Sequence, residues 1–334
     1  MTQDRDIQVK DGIRIGHYAD WMFEQVIDMF VAEYGVSRVQ QEALFRQFYE
    51  ESFQRSHGIR LVAVDRDTVC GFQSYFYWPY VYRGKTLRTF QSGNSLVAKN
   101  YRGRQIFARL LNYLFDLDAG ERPGIDFLMG FPVEMSYGGF IRNKWANPLD
   151  MVWYAKPVHP LSVVLGREPT PSQWLFELIG ESIKAWYPEA QFSLSKEIDF
   201  ANWRRNLRDG SPQYLYFHYG KGNDTIRFDL KPNRRGRINE LVIGDISRSS
   251  PNPEVLREGV RELCKFAKKH AFLTMLSVAL NETSSDLNTL GIFREYGFYR
   301  LNMKIHFIVK PITDFQDCTD EKRWNLLRSD IDTW

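Results

Sequence analysis

A short turn between an apolar strand and an amphipathic helix carries residues suited to binding a phosphate group. The turn spans residues 101–105 (YRGRQ) and follows an apolar run at 95–98 (SLVA). Apolar residues recur at helical spacing from Arg104 onward, so we expect a helix there. A glycine in such a turn lets the backbone approach a ligand, and the free N–H groups of a first helical turn favour an anion such as a pyrophosphate. Arg102 and Arg104 add charges that can pair with phosphate oxygens.

A second segment combines glycine, aromatic and polar residues directly after a buried strand. The strand covers residues 126–130, and the segment 130–145 reads GFPVEMSYGGFIRNKW. Within it Glu134 follows the end of the strand closely, at the start of a short helix. A carboxylate at that place can act as a base, or it can simply stabilise the helix N-terminus through the helix dipole.

Both segments resemble signature motifs of the GNAT superfamily of N-acyltransferases. The family's loop pattern is Gln/Arg-x-x-Gly-x-Gly/Ala; Gly103 matches it, whereas Asn100 and Gln105 stand at the first and last consensus positions. The second segment is similar to that of relatives that act on sugars and cell-envelope precursors, in which Asn is usual where Val133 stands. The matching positions are Gly130, Phe131, Pro132, Ser136, Gly139, Phe140 and Trp145.

The resemblance implies an acyl-CoA site in the first half of the chain, with acyl-CoA as a co-substrate and no permanently bound cofactor. In the family, loop amides hold the pyrophosphate, and the preceding strand holds the pantetheine arm and orients the carbonyl. The residues that this assigns to CoA binding are Val97, Lys99, Arg102, Gly103, Arg104, Gln105, Ile106 and Phe107.

Candidates for catalysis and for acceptor binding follow from the same comparison. Many GNAT enzymes carry a tyrosine that protonates the leaving thiolate near the position of Phe140, so neighbouring Tyr137 is the substitute acid and Glu134 the candidate base. Alternate side chains of the strand before the loop could face the acceptor, which makes Gln91 and Asn94 candidates, although core positions explain them equally well. Two carboxylates close to the C-terminus are further candidates for acceptor binding, with a solvated tail as the alternative. They are Asp330 and Asp332.

The order of elements predicts an α/β chain of the α+β type. Two helices, a strand meander and a strand-loop-helix unit occupy residues 1–157, and a Pro-rich stretch follows. Residues 158–312 repeat this order, with helices expected at 174–186, 198–207 and 253–270, but they lack the glycine loop. We therefore expect two tandem GNAT-like domains, each a twisted mixed sheet flanked by helices, and a tail at 313–334. Only the first is expected to bind CoA.

Composition narrows the remaining possibilities. The net charge of +3 is too small to indicate a nucleic-acid partner, and no window is long and apolar enough to predict a membrane span. The three cysteines are widely spaced, which fits a reducing compartment, so we expect a cytoplasmic protein. No zinc spacing, Walker loop or dinucleotide fingerprint is present, so no metal is expected. His17, His57 and His218 are each isolated in sequence, which favours structural or exposed roles.

Taken together, the resemblance predicts an acyl-CoA-dependent N-acyltransferase. Its acceptor would be the amine of a dTDP- or UDP-linked amino sugar destined for surface polysaccharide such as O-antigen (lipopolysaccharide) or capsule, bound between the two domains. One alternative is a peptidoglycan cross-bridge type transferase that uses aminoacyl-tRNA, although its usual coiled-coil arm is missing. The other is a non-catalytic double-GNAT binding module. The sequence makes no prediction of the oligomeric state.

Overall fold

The computed structural model describes residues 7–10, 12–117, 124–166, 169, 183–206, 214–283, 287–313 and 315–332. Most of the helix expected at 174–186 lies outside these ranges. The helix expected at 198–207 is present as far as residue 206, where the described range ends, and the helix expected at 253–270 ends two residues earlier than predicted.

Strands dominate the described part of the chain. They are β1 (Ile7–Lys10), β2 (Ile13–His17), β3 (Ile59–Asp65), β4 (Thr68–Tyr77), β5 (Tyr80–Tyr82), β6 (Lys85–Leu87), β7 (Thr89–Val97), β8 (Phe127–Gly130), β9 (Ala146–Pro157), β10 (Ser193–Leu194), β11 (Leu215–Lys221), β12 (Asp224–Arg235), β13 (Ile238–Arg248), β14 (Met275–Asn281) and β15 (Tyr299–Pro311).

The helices alternate with these strands. They are α1 (Phe23–Tyr34), α2 (Arg38–Phe45), α3 (Ser52–His57), α4 (Ile106–Asp116), α5 (Glu134–Arg142), α6 (Ile198–Asn206), α7 (Pro253–Lys268) and α8 (Leu287–Glu295), and a π-helical turn at Arg46–Glu50 continues α2. Helix α4 begins two residues after Arg104, so the predicted strand-turn-helix unit is confirmed.

One mixed sheet runs through both halves of the chain. Its strand order is β1-β2-β3-β4-β7-β8-β15-β9-β14-β13-β12-β11, and β10-β5-β6 form a separate small sheet. From the central antiparallel pair of β15 and β9, each side continues with an antiparallel, then a parallel, then an antiparallel neighbour. This mirror order of pairings supports the predicted fold class, two GNAT-like units in tandem.

The two halves exchange strands at the centre of the sheet. Strand β15 comes from the second half but lies between β8 and β9 of the first, and β9 pairs with β14 of the second. A boundary near residue 157 remains a prediction about the chain, because the sheet itself is continuous there.

Apolar side chains cover both faces of the sheet. On one face, Phe90 and Leu128 pack with Ile106 and Leu110 of α4. On the same face, the strands of the second half pack against α7. The opposite face packs against α1, α2, α6 and the C-terminal segment. Burial on both sides of the sheet accommodates the many aromatic residues, which make up 15% of the chain.

The C-terminal segment belongs to this core. Trp324 is fully buried, its Nε1 donates to the Cys318 carbonyl oxygen at 2.9 Å, and its ring lies 4.5 Å from that of Phe192. A solvated tail, the alternative considered from the sequence, is therefore wrong for residues 315–332.

A bulge interrupts β7 where that strand passes the end of β8. Gln73 of β4 pairs with Ser95 and Tyr75 pairs with Ser92, so β7 has one extra residue in between. Gly93 lies in this bulge, and a Cβ atom there would be 2.3 Å from Phe76 Cε2 and 2.6 Å from Ser74 Oγ. Only glycine fits, because both neighbours are themselves buried.

We expect Gly93→Ala to lower the free energy of unfolding by about 1–3 kcal/mol, the usual cost of overpacking a filled core. Gly124→Ala is the matched control, because a Cβ there meets no atom within 4 Å. Urea denaturation of both variants measures the difference. Equal stability of the two variants would show that the bulge is not tightly packed.

Candidate functional site

A cleft opens where β7 and β8 separate. The two strands pair in parallel at only three residues, the last pair being Gln91 with Met129, and β7 then runs on to Val97 without β8. The N–H and C=O groups of residues 92–97 that point toward β8 therefore have no ladder partner on that strand. The bulge at Gly93 lies within this unpaired stretch. A polar, extended ligand can bind along such an edge.

The cleft leads to the turn identified in the sequence. Gly103 has φ +85° and Gln105 has φ +61°, so both residues adopt the left-handed conformation. Among the described residues, no backbone carbonyl accepts a hydrogen bond from the amides of residues 103–108. The first intrahelical bond runs from the Arg109 amide to the Gln105 carbonyl at 3.0 Å. Amides without a backbone acceptor at the N-terminus of a helix are the kind of group that binds an anion.

Side chains around the turn differ in their availability. Arg102 pairs with Glu33 at 2.7 Å and donates from Nε to the Val97 carbonyl at 3.1 Å, so its charge is largely neutralised. Arg104 lies over the Tyr101 ring at 5.0 Å. Within the described ranges neither Arg104 nor Lys99 pairs with a carboxylate. These two cations, rather than Arg102, are free to contact a phosphate.

The remaining predicted CoA residues contribute mainly through their backbone. The Ile106 side chain is buried against Gly71, which leaves only its N–H facing the cleft side of the turn. Phe107 packs edge-on against Phe140 with ring centroids 5.4 Å apart, and a Cβ at Gly139 would be 2.8 Å from the Phe107 ring. The aromatic pair therefore joins α4 to α5 beside the turn.

Of the four predicted acceptor residues, Asn94 and Asp332 lie close to one tyrosine that the sequence reasoning missed. Asn94 Nδ2 donates to the Tyr49 hydroxyl oxygen at 2.8 Å, and Tyr49 also bonds Ser74 Oγ at 3.0 Å. Burial raises the pKa of Tyr49, and the nearby negative charge of Asp332 adds to that shift. The C-terminal segment therefore returns to the bulge of the first half.

The side chain of Gln91, near the same cleft, has a buried oxygen without a hydrogen-bond donor among the described residues. It is 1% exposed, and its Oε1 accepts no hydrogen bond from the described residues. A buried acceptor atom without a donor costs about 1–3 kcal/mol, so such an atom is retained where a ligand can supply the donor. Its position at the last β7–β8 pair suits an incoming N–H group.

Glu134 and Tyr137 both contact His306. Glu134 Oε2 lies 3.0 Å from His306 Nε2, and the Tyr137 ring stacks on the imidazole with centroids 4.0 Å apart. On its other side His306 Nδ1 lies 2.8 Å from Asp150 Oδ1. Burial raises the pKa of Asp150, but hydrogen bonds from Lys304 and His306 outweigh it, so the net shift is downward. An ionised Asp150 orients the imidazole, and the acid-imidazole-acid chain can transfer a proton.

Sequence reasoning overlooked His306 because no other polar motif marks it. It lies on β15, two residues from Ile308, which pairs with Gly130 at the end of β8. The only available signal was a histidine inside an apolar strand, and its proximity to Glu134 depends on the insertion of β15 beside β8. Tyr49 was hidden in the same way among the aromatic residues of a helical segment.

The carboxyl group of Asp330 is buried and bonded to groups outside this cleft. Its Oδ1 accepts a hydrogen bond from the Tyr80 hydroxyl, and its Oδ2 accepts from the Leu327 amide at 2.7 Å. Burial raises the pKa of Asp330 to about 6. Its assignment to acceptor binding remains a prediction, and the contacts observed hold the C-terminal segment against β5.

Comparison with known proteins gives a structural relationship without a sequence match. No protein-family model matches the chain, and no curated protein matches its sequence. It is similar to a solved GCN5-related N-acetyltransferase from Anabaena variabilis, with a TM-score of 0.58 and 12% identity over 90% of this chain and 73% of that one. A GCN5-related N-acetyltransferase from Kribbella flavida gives a TM-score of 0.54 and 14% identity, over 90% and 72% of the two chains.

A third solved structure, from Enterococcus faecalis, is described as a conserved protein of unknown function and probable N-acyltransferase. Its TM-score is 0.58 at 9% identity, over 91% of this chain and 74% of that one. At such identities the likeness defines the fold, and the fold of this chain is that of the GCN5-related N-acetyltransferases. Along the part of the chain that the structure describes, no helix has the length and apolarity needed to cross a membrane.

The buried carboxyl of Asp330 predicts a pH dependence of stability. Its folded pKa of about 6 lies above the unfolded value of about 3.9, so the folded chain binds the proton more tightly. The stability contributed by the protonated form is complete below about pH 4 and is lost as pH rises through about 6. Relative to Asp330→Asn, which cannot titrate, wild type should lose on the order of 2–3 kcal/mol between pH 4 and 7.

Urea denaturation of both proteins at several pH values measures this difference. The contributions of other buried carboxyls to the pH dependence cancel, because both proteins contain them. A difference that does not change with pH would mean that folding does not shift the pKa of Asp330.

Proposed function

We propose that this protein is an acyl-CoA-dependent N-acyltransferase with a single CoA site in its first half. The observation that carries the proposal is the separation of β7 from β8 after three residue pairs, which opens a cleft leading to the unpaired amides of residues 103–108. The residues fit the ligand: amides and the unpaired cations Lys99 and Arg104 suit a pyrophosphate, and the free edge of β7 suits the amide-containing pantetheine arm.

The reaction is the attack of a neutral amine on the thioester carbonyl. The new C–N bond forms as the C–S bond breaks, the amine loses one proton, and the sulfur leaves as a thiolate that takes up a proton. We assign polarisation of the carbonyl to backbone N–H groups at the β7 bulge, and we assign the hydrogen bond from the amine to Gln91 Oε1, which has no other partner among the described residues. Holding both reactants in this cleft supplies much of the rate.

Glu134 and His306 are the proposed proton acceptors, with Asp150 orienting the imidazole. Tyr137 is the proposed proton donor to sulfur; its hydroxyl bonds Asn147 Oδ1 at 3.1 Å. Phe140, near the family's usual acid position, is buried between α4 and α5 and has no proton to give.

The acceptor that we propose is the amine of a nucleotide-linked amino sugar. Its support is the resemblance of residues 130–145 to relatives acting on sugars and cell-envelope precursors, together with polar groups on the side of the β7 bulge that faces away from α4. Asn94, Tyr49 and the nearby Asp332 supply those groups. An aminoacyl-tRNA donor is disfavoured because the anion site is small and carries few free cations.

We expect Gly103→Val to weaken CoA binding by at least tenfold. Gly103 has φ +85°, a conformation that costs a β-branched residue about 1–2 kcal/mol, so the substitution distorts the turn and moves its amides. Gly84→Val is the matched control, because Gly84 has φ +70° in the β5–β6 turn and is equally free of neighbours within 4 Å. Isothermal titration calorimetry with CoA compares the two. Equal affinities in both variants would refute the proposed CoA site.

We expect His306→Gln to lower kcat by about 100-fold, a typical effect of removing a proton acceptor, and to leave the Kd for CoA unchanged. The pH dependence of kcat should also change shape, which a purely structural loss would not produce. His159→Gln is the control, because His159 is a half-buried residue of the second half whose Nε2 contacts the Lys268 carbonyl oxygen at 2.9 Å.

Rates are measured by release of the CoA thiol with a panel of dTDP- and UDP-linked amino sugars. If His306→Gln has the kcat and pH profile of wild type, the proton path lies elsewhere.

A further inference from the structure

The second half repeats the split and the bulge of the first. Strands β13 and β14 pair in parallel at four residues, the last pair being Ile243 with Val278, and β13 continues to Arg248 without β14. An extra residue lies in β13 at Gly244, because Leu230 pairs with Ile243 and the next pair joins Asp229 to Asp245. A Gly-Asp pair therefore occupies the place of Gly93-Asn94. The second half therefore has a cleft at the position that corresponds to the β7–β8 cleft of the first half.

This second cleft lacks an amide turn for pyrophosphate. The Ser249 amide donates to the Thr225 carbonyl at 3.0 Å, and the Asn252 side chain caps α7 by accepting from the Glu254 amide at 3.1 Å. The C-terminal segment also enters it, because Leu327 bridges to Leu280 at the end of β14. The polar groups at this bulge must therefore serve another ligand class.

A cavity of about 330 Å³ lies on the face of β12 and β13 that points away from α7. Its floor consists of two ion pairs, one within β12 and one between β13 and the residue two positions before α6. Arg227 binds Asp229 in bidentate fashion, at 2.7 and 3.2 Å, and Lys196 pairs with Asp245. Two of the three cations that line the cavity face a carboxylate. The third, Arg204, donates to the Ser329 carbonyl oxygen and lies over the Trp78 ring, so the lining presents many hydrogen-bonding atoms and only a small excess of positive charge.

Two serine hydroxyls in the cavity wall have no partner. Ser247 is 4% exposed and Ser329 is 2% exposed, and within the described ranges neither Oγ has a hydrogen-bond partner. Leaving a buried hydroxyl unpaired costs about 1–3 kcal/mol, so a ligand that both donates and accepts would recover that cost. Phe200 and Tyr214 add aromatic surface to the same wall.

We propose that this cavity binds an uncharged sugar ring, a part of the acceptor remote from its reacting amine. The hydroxyl groups of a sugar ring both donate and accept hydrogen bonds, so they can bond the ion-paired side chains and the serine hydroxyls of the cavity. The apolar face of the ring can pack against the aromatic side chains. This proposal rests on the proposed function in one respect, namely that the bound sugar belongs to the acceptor molecule. The cavity itself is defined by its own residues.

An aromatic layer lies between the cavity and the β7 bulge. Arg204 of the cavity stacks on Trp78 at 4.8 Å, Trp78 meets Trp203 at 5.8 Å, and Trp203 meets Phe76 at 6.0 Å. Phe76 in turn packs against Gly93. These rings separate a sugar in the cavity from the β7 bulge, so the cavity takes no part in bond formation.

The test is a titration of the full chain with methyl glycosides of glucose, galactose and mannose, followed by saturation-transfer NMR. Methoxycyclohexane, a six-membered ring without ring hydroxyls, is the ligand control. Ser247→Ala and Ser329→Ala should each weaken the glycoside that binds best by about fivefold, the effect of one lost hydrogen bond. Ser277→Ala is the matched protein control, because Ser277 is also buried without a partner among the described residues but does not line the cavity.

The proposal is overturned if no glycoside binds, if methoxycyclohexane binds equally well, or if Ser277→Ala weakens binding as much as the cavity variants. CoA binding measured on the same proteins separates this result from the proposed function. Ser247→Ala should keep CoA affinity, and Gly103→Val should keep glycoside affinity. Glycoside binding without CoA binding would leave the sugar site standing and refute acyl transfer from CoA.

Discussion

The early separation of β7 from β8 is the constraint on which the candidate site depends. Two parallel strands that stayed paired would satisfy one another's backbone groups and leave no edge for a ligand. Here the pairing ends at Gln91, and the next residues carry a bulge whose glycine has no room for a side chain. The polar groups of the cleft, the free amides of the turn and the position of Glu134 all follow from that divergence.

The central strand exchange explains how the two halves act as one structure. Because β15 lies between β8 and β9, it brings His306 to Glu134, and β9 supplies Asp150 from the other side. The C-terminal segment also joins the two halves, because Leu327 bridges to Leu280 at the end of β14 and Asp332 lies near Tyr49, which bonds Asn94 at the first bulge. Without β15 and the C-terminal segment, the cleft would lack His306 and the nearby charge of Asp332. The second half therefore contributes to the site as well as to the core.

Local features were predictable from the sequence, and long-range pairings were not. The spacing of Ile106, Leu110 and Leu114 specifies α4 directly, and glycine at 103 marks the turn, because both depend on neighbouring residues. His306 could not be placed near Glu134, because their proximity requires β15 to insert between β8 and β9, and β9 ends at residue 157 whereas β15 begins at residue 299. The bulge at Gly244 and the burial of Trp324 depend on the same kind of distant contact.

The most direct test of a single CoA site is hydrogen–deuterium exchange of the backbone amides, with and without CoA. The amides of residues 92–108 carry the proposed site, whereas residues 244–256 form the corresponding strand-to-helix connection without an amide turn. We expect CoA to slow exchange at 92–108 and to leave 244–256 unchanged. Absence of protection at 92–108, or equal protection of both segments, would contradict the account.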